Sequence, residues 1–138
     1  WKKKTGINKT KFAKGEYNLS IVKDSIKQIK ELSLPNNITS KSTEIYYLTL
    51  SKICRSFINE NFYIKATEMT SSELEEYLKL LGIDTDLIKT WSKVSKNTDL
   101  AKFAKQIPTI EQFNKDKNTY IDLIKSFHLI RYGSINLS

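Results

Sequence analysis

The side chains able to do chemistry are few in this chain, and they are scattered. There is one histidine, His128, and one cysteine, Cys54. A single imidazole builds neither a metal site nor a catalytic triad, and His128 follows Phe127 on a helical stripe, which suits a structural or surface role. Cys54 lies on an apolar stripe with no activating neighbour in sequence, so it reads as a small buried hydrophobe of a reducing compartment rather than a reactive thiol. Glu73, Glu75 and Glu76 crowd the first turn of a predicted helix, where the macrodipole favours negative charge. They are not an acid and base pair, because paired carboxylates work catalytically only when their surroundings push their pKa values apart. No Gly-rich phosphate loop, Cys/His zinc spacing or nucleophile elbow is present, so no catalytic, metal-binding or cofactor-binding residue is assigned and no cofactor is expected. The Asn-x-Ser/Thr triplets at Asn8, Asn18, Asn37 and Asn136 are what an Asn-rich chain produces by chance.

Charge is the stronger signal. The formal net charge is +8, from 23 Lys and Arg against 15 Asp and Glu. Lys2, Lys3, Lys4, Lys9, Lys11 and Lys14 fall within residues 1–14 without any acid, so the other 17 basic residues almost balance the 15 acidic ones. Three readings fit this local basic tail. Trp1 followed by Lys2, Lys3 and Lys4 matches the cytoplasmic exit of a membrane span, with the indole at the interface and Lys obeying the positive-inside bias. The same residues suit a solvated leader, or an arm that grips nucleic-acid phosphates. Within the chain itself, no apolar run approaches the length of about 18 residues that a span needs, and no signal peptide is visible.

These residues must be positioned by helices. With 138 residues, 39% hydrophobic, 28% charged, four Gly and two Pro, the chain suits one α-helical domain, residues 18–138, behind a basic, flexible tail, residues 1–17. The predicted fold is an all-α compact bundle of five or six helices. Its centre is a helix from about Thr43 that carries Tyr46, Tyr47, Leu50, Ile53, Cys54, Phe57 and Ile58, broadened by Ile45 and Leu48. A stripe this wide must be touched on more than one side.

Around that centre the other helices follow in order. Asn18 is a candidate cap for a first helix with Leu19, Val22, Ile26 and Ile29 on one face and Lys23, Lys27 and Lys30 on the other, stopping near Ser33 ahead of Pro35. Its basic face suits either a lipid surface or packing on the bundle with Lys in water, the second reading being favoured. Thr70 and Glu73 form a capping box that opens a helix near Ser71, with Gly82 as its C′ residue. Asp84 or Thr85 caps a helix with Leu87, Ile88, Trp91 and Val94, which the polar segment Ser95–Thr98 is expected to close. Asp99–Gln106 is expected as a separate short helix with Leu100 and Phe103 inward, ended by Pro108. Thr109 and Gln112 make another box, opening a last helix with Phe113, Tyr120, Leu123, Ile124, Phe127 and Ile130, stopped by Gly133.

Three of these segments together resemble a known family. From Thr43 to Phe127 the order of features is similar to the α-helical cytoplasmic tail of BatD-like membrane proteins of the Bacteroides-aerotolerance operon. The matching pieces are the basic turn Lys52–Arg55 in SKICRSF, the loop Ala66-Thr67-Glu68-Met69-Thr70, and Asp99-Leu100-Ala101-Lys102-Phe103-Ala104-Lys105. The last is the most specific, the family reading Asp-Leu-Val-Lys-Phe-Ala before a Pro and another helix. The first helix lies outside the matched part. The resemblance implies a tail beneath a single span, at the cytoplasmic face of a bacterial inner membrane, that helps a MoxR-type AAA+ ATPase and von Willebrand A domain proteins assemble. No catalytic residue comes with it.

The function expected is therefore a non-enzymatic protein-interaction module of a membrane-anchored protein. Trp1, Lys2, Lys3 and Lys4 are its membrane-proximal residues, and Asp99, Lys102 and Lys105 its candidate protein contacts. The duller reading of those contacts is a capping Asp99, core Leu100 and Phe103, and two solvated lysines. The alternative function, a basic nucleic-acid-binding module, needs a basic stripe on the folded body, but residues 66–138 hold ten basic and ten acidic residues.

Overall fold

A computed structural model describes residues 14–132, with side chains described from 19 to 130. Among these residues it forms five helices and no strand, an all-α fold: α1 (Lys14–Lys30), α2 (Ser40–Phe62), α3 (Ser71–Leu80), α4 (Thr85–Phe103) and α5 (Ile110–Tyr132), with one 3-10 turn at Ala66–Glu68. The readings of Trp1, Lys2, Lys3 and Lys4, of the tail before Lys14 and of Gly133 lie outside the described residues.

The central helix is α2, which touches α1, α4, α5 and the 3-10 turn. Its Tyr46, Tyr47, Leu50, Cys54, Phe57 and Ile58 are all buried, each large apolar side chain contributing about 2 kcal/mol of transfer free energy. The helix starts earlier than its apolar pattern indicates. Thr39 caps it with a reciprocal box, its hydroxyl accepting from the Ser42 N–H while the Ser42 hydroxyl accepts from the Thr39 N–H. Ile45 is 54% exposed and Leu48 only half-buried, so the stripe is narrower at this end than predicted.

The first helix packs on α2 and α5 through Val22, Ile26 and Ile29, leaving Lys23, Lys27 and Lys30 exposed. It begins at Lys14, ahead of Asn18, and its last helical residue is Lys30 rather than Ser33. Helix α3 opens as the sequence indicates, with Thr70 and Glu73 forming the predicted box, and buries Leu74 and Leu78. Gly82 sits at φ +77°, its N–H bonded to the Lys79 carbonyl and the Ile83 N–H to Leu78, the paired bonds of a Schellman turn.

Helix α4 corrects the sequence reading. Capped by Asp84, it runs unbroken from Thr85 to Phe103, so Ser95–Thr98 does not end a helix and Asp99–Gln106 is not a separate one. Trp91, Val94, Ser95, Thr98 and Ala101 keep the helical spacing on the buried face. Two polar residues therefore continue the stripe instead of ending it. The Thr98 hydroxyl reaches the Val94 carbonyl at 3.1 Å and the Tyr120 hydroxyl at 2.8 Å. The same rotation makes Ala101 the inward residue, leaving Leu100 half-buried and Phe103 70% exposed, against the prediction that both point inward.

On α5, Phe113, Tyr120, Leu123, Ile124 and Phe127 are buried, while Ile130 is 49% exposed. Thr109 accepts from the Gln112 N–H, but the Gln112 amide turns to Asp116, so the second box is only half made. His128 and Cys54 are both buried: burial holds the imidazole below its ordinary value and pushes the thiol up to about 12. Among the described residues no helix is long and apolar enough to cross a membrane.

Candidate protein-docking cleft

Arg55 anchors the most developed surface feature. It lies on α2 next to Cys54 and is half-buried. Nε donates to the Ser51 hydroxyl at 3.0 Å, Nη1 to the carbonyls of Ala66 at 3.0 Å and Met69 at 2.6 Å, and Nη2 to the Ser71 hydroxyl at 3.1 Å. One fork thus ties the middle of α2 to the 3-10 turn and the start of α3, and the guanidinium lies 5.3 Å over the ring of buried Trp91. All four of these acceptors are neutral. Burial lowers the Arg55 pKa, partly offset by Tyr120, Cys54 and Asp99.

Above this guanidinium opens a cleft of about 470 Å³ between α2, the start of α3 and the end of α4. Lys52 and Arg55 come from α2, Ser71 and Ser72 from α3, and Asp99 and Lys102 from α4. Leu48, Met69 and Phe103 supply its apolar wall. Asp99 is the sole acidic residue lining it, set against three cations. The cleft therefore combines a positive floor and rim with an apolar side, which matches an acidic group carried beside a hydrophobic one.

The structure separates the three predicted contact residues. Asp99 and Lys102 share the cleft, and the Lys102 ammonium stands 4.7 Å from the centre of the Phe103 ring. Asp99 lies within α4, so it does not cap a helix there. Lys105 is elsewhere: it takes the left-handed conformation at φ +57° just past α4, and its ammonium pairs with Glu44 at 2.9 Å. Its carbonyl accepts from the Ser40 hydroxyl, so this residue fastens the end of α4 to the start of α2. Hydrogen bonding to that ammonium holds the Glu44 carboxyl below its ordinary value.

Arg55, Ser71 and Ser95 were not singled out as contact residues from sequence. One signal was available: Arg55 is one of only two arginines among 23 cations, and a fork among point charges marks a place where geometry matters. Ser95 carried no such signal.

A second polar cluster lies between α2, α4 and α5. Asp116 is 3% exposed and accepts from the Tyr47 hydroxyl, the Asn97 amide and the Gln112 amide. The adjoining cavity is about 120 Å³. Tyr47, Asn97 and Gln112 each turn a donor to the carboxylate, an arrangement that ties the three helices together.

Comparison of the chain with protein-family models, curated proteins and solved structures finds no significant match.

Proposed function

We propose that this chain is a non-enzymatic protein-interaction module, held at the cytoplasmic face of a bacterial inner membrane, that docks a partner protein across the end of α4. The partners are a MoxR-type AAA+ ATPase and von Willebrand A domain proteins, by resemblance. One observation carries the reading. The three segments that bear the resemblance, Lys52–Arg55, Ala66–Thr70 and Asp99–Lys105, lie far apart in sequence, yet each contributes residues to the cleft beside exposed Phe103. A large aromatic beside a cation over a polar floor has the composition of an interface anchor.

The test is co-purification of the tagged chain with lysate of its own bacterium at low and raised salt, read by mass spectrometry. Recovery of the ATPase or a von Willebrand A protein, lost in the Lys102→Glu variant, is the expected result. Recovery of nucleic acid that salt removes would instead favour the basic tail as the binding element.

A further inference from the structure

We infer that the cleft holds a carboxylate socket: one Asp or Glu side chain of an acidic partner segment enters between Arg55, the first turn of α3 and Ser95. The inference rests on the partner-docking reading above and names the chemistry at its centre.

Two independent features point into the same space. The first is charge. Lys52, Arg55 and Lys102 surround the cleft, and none of them has an acidic group within ion-pair distance among the described residues, where the pairs are Lys79 with Glu75 and Glu76 and Lys105 with Glu44. Four of the five Arg55 N–H groups are engaged by the contacts described, leaving one Nη2 proton. The second feature is a hydroxyl without a partner. Ser95 lines the cleft, is 4% exposed, and its Oγ makes no hydrogen bond. A buried polar atom left in that state costs free energy unless a ligand satisfies it.

Helix α3 supplies the remaining donors. The N–H groups of Ser71 and Ser72 occupy the first two helical positions and have no intrahelical acceptor, at the positive end of a helix dipole. The glutamates that follow are directed away. Glu73 accepts from the Thr70 N–H, while Glu75 and Glu76 pair with Lys79. Asp99 remains the one acid facing an incoming carboxylate, and it limits how much negative charge the socket accepts. Leu48 and Phe103 then select a segment in which the acidic residue has an apolar neighbour.

The experiment uses the full chain labelled with ¹⁵N and titrated with the peptide acetyl-Glu-Phe-Asp-Leu-Glu-amide, with the same peptide carrying Lys for each acid, and with inorganic phosphate. Saturable movement of the Ser71 and Ser72 amide resonances by the acidic peptide alone, or by both acidic peptide and phosphate in competition, is the expected result. Lys102→Glu and Ser95→Ala should each weaken the acidic peptide by up to roughly tenfold. Asp99→Asn should tighten it severalfold. These three variants leave the Arg55 fork intact, whereas an Arg55 variant also tests the fold. Unmoved amides with the acidic peptide, movement by phosphate alone, or equal movement by the Lys peptide would each overturn the socket. Unmoved amides with successful capture of the ATPase would leave the partner reading standing, and a filled socket without capture would remove the partner reading instead.

Discussion

The Tyr47 hydroxyl on α2 donates to Oδ2 of Asp116 on α5 at 2.5 Å, and both residues are buried. Asn97 on α4 and Gln112 on α5 donate to the other carboxylate oxygen, each at 3.0 Å. Three helices that pack mainly through apolar side chains thus share one polar fixed point. Neutral hydrogen-bond donors, not a cation, compensate the carboxylate.

Removing the acceptor strands three donors, so Asp116→Ala should cost about 3 kcal/mol, whereas Tyr47→Phe removes one charge-assisted bond and should cost about 2 kcal/mol. Asp116→Asn keeps an acceptor for part of the cluster and should cost less than Asp116→Ala. Thermal unfolding reads the order directly, at about 3 °C per kcal/mol for a chain of this size. Asp116→Ala unfolding at the wild-type temperature would show that the network contributes nothing net.

Trp91 and Phe103 lie on one helix with opposite fates, and substituting them separates core from surface. Trp91 is fully buried under Arg55, and Trp91→Ala should cost about 4 kcal/mol. Phe103 is 70% exposed, so Phe103→Ser should change stability by less than about 0.5 kcal/mol. A large loss at Phe103 in urea unfolding would restore the inward orientation expected from sequence.

This pair also shows where sequence was readable. Thr70 with Glu73 and Gly82 are local signals, because a box and a left-handed C′ residue are decided within a few positions, and the structure realises both. The α2 stripe was legible because its apolar spacing repeats over several turns. Ser95 and Thr98 misled because their hydroxyls look like a helix stop until Tyr120, far along the chain, offers Thr98 a partner. Asp99 and Lys102 were found through a motif, but the Arg55 fork was not legible: two of its acceptors are loop carbonyls that only the tertiary fold brings near.

Stability should form a plateau in pH with two causes at its edges. Burial lowers the His128 pKa from the ordinary 6.5, so the unfolded chain binds the proton more readily and stability falls as pH drops below about 6.5. Burial raises the Cys54 thiol from 9.0 to about 12, and raises the Tyr47 and Tyr120 hydroxyls, so the unfolded chain releases protons first and stability falls as pH climbs above about 9. Urea midpoints measured from pH 5 to 11 should trace both limbs. His128→Gln should flatten the acid limb, and Cys54→Val the start of the alkaline one. An unchanged acid limb in His128→Gln would assign that edge to other groups.

Lys105 holds a conformation that favours glycine, at φ +57°, while its ammonium pairs with Glu44 and its carbonyl accepts from Ser40. A non-glycine residue pays roughly 1 kcal/mol for this conformation. The Glu44 pair is exposed on the lysine side and offsets only part of that. Lys105→Gly should therefore leave stability unchanged or raise it by up to about 1 kcal/mol, even though it deletes an ion pair. Lys105→Ala keeps the strain and loses the pair, so it should fall below both. The ranking Gly, then Lys, then Ala in thermal unfolding assigns the backbone as the dominant contribution, whereas Lys above Gly would give that place to the contact with Glu44. Either ranking is measured without a partner, so it separates the fastening of α4 onto α2 from any role of Lys105 in docking.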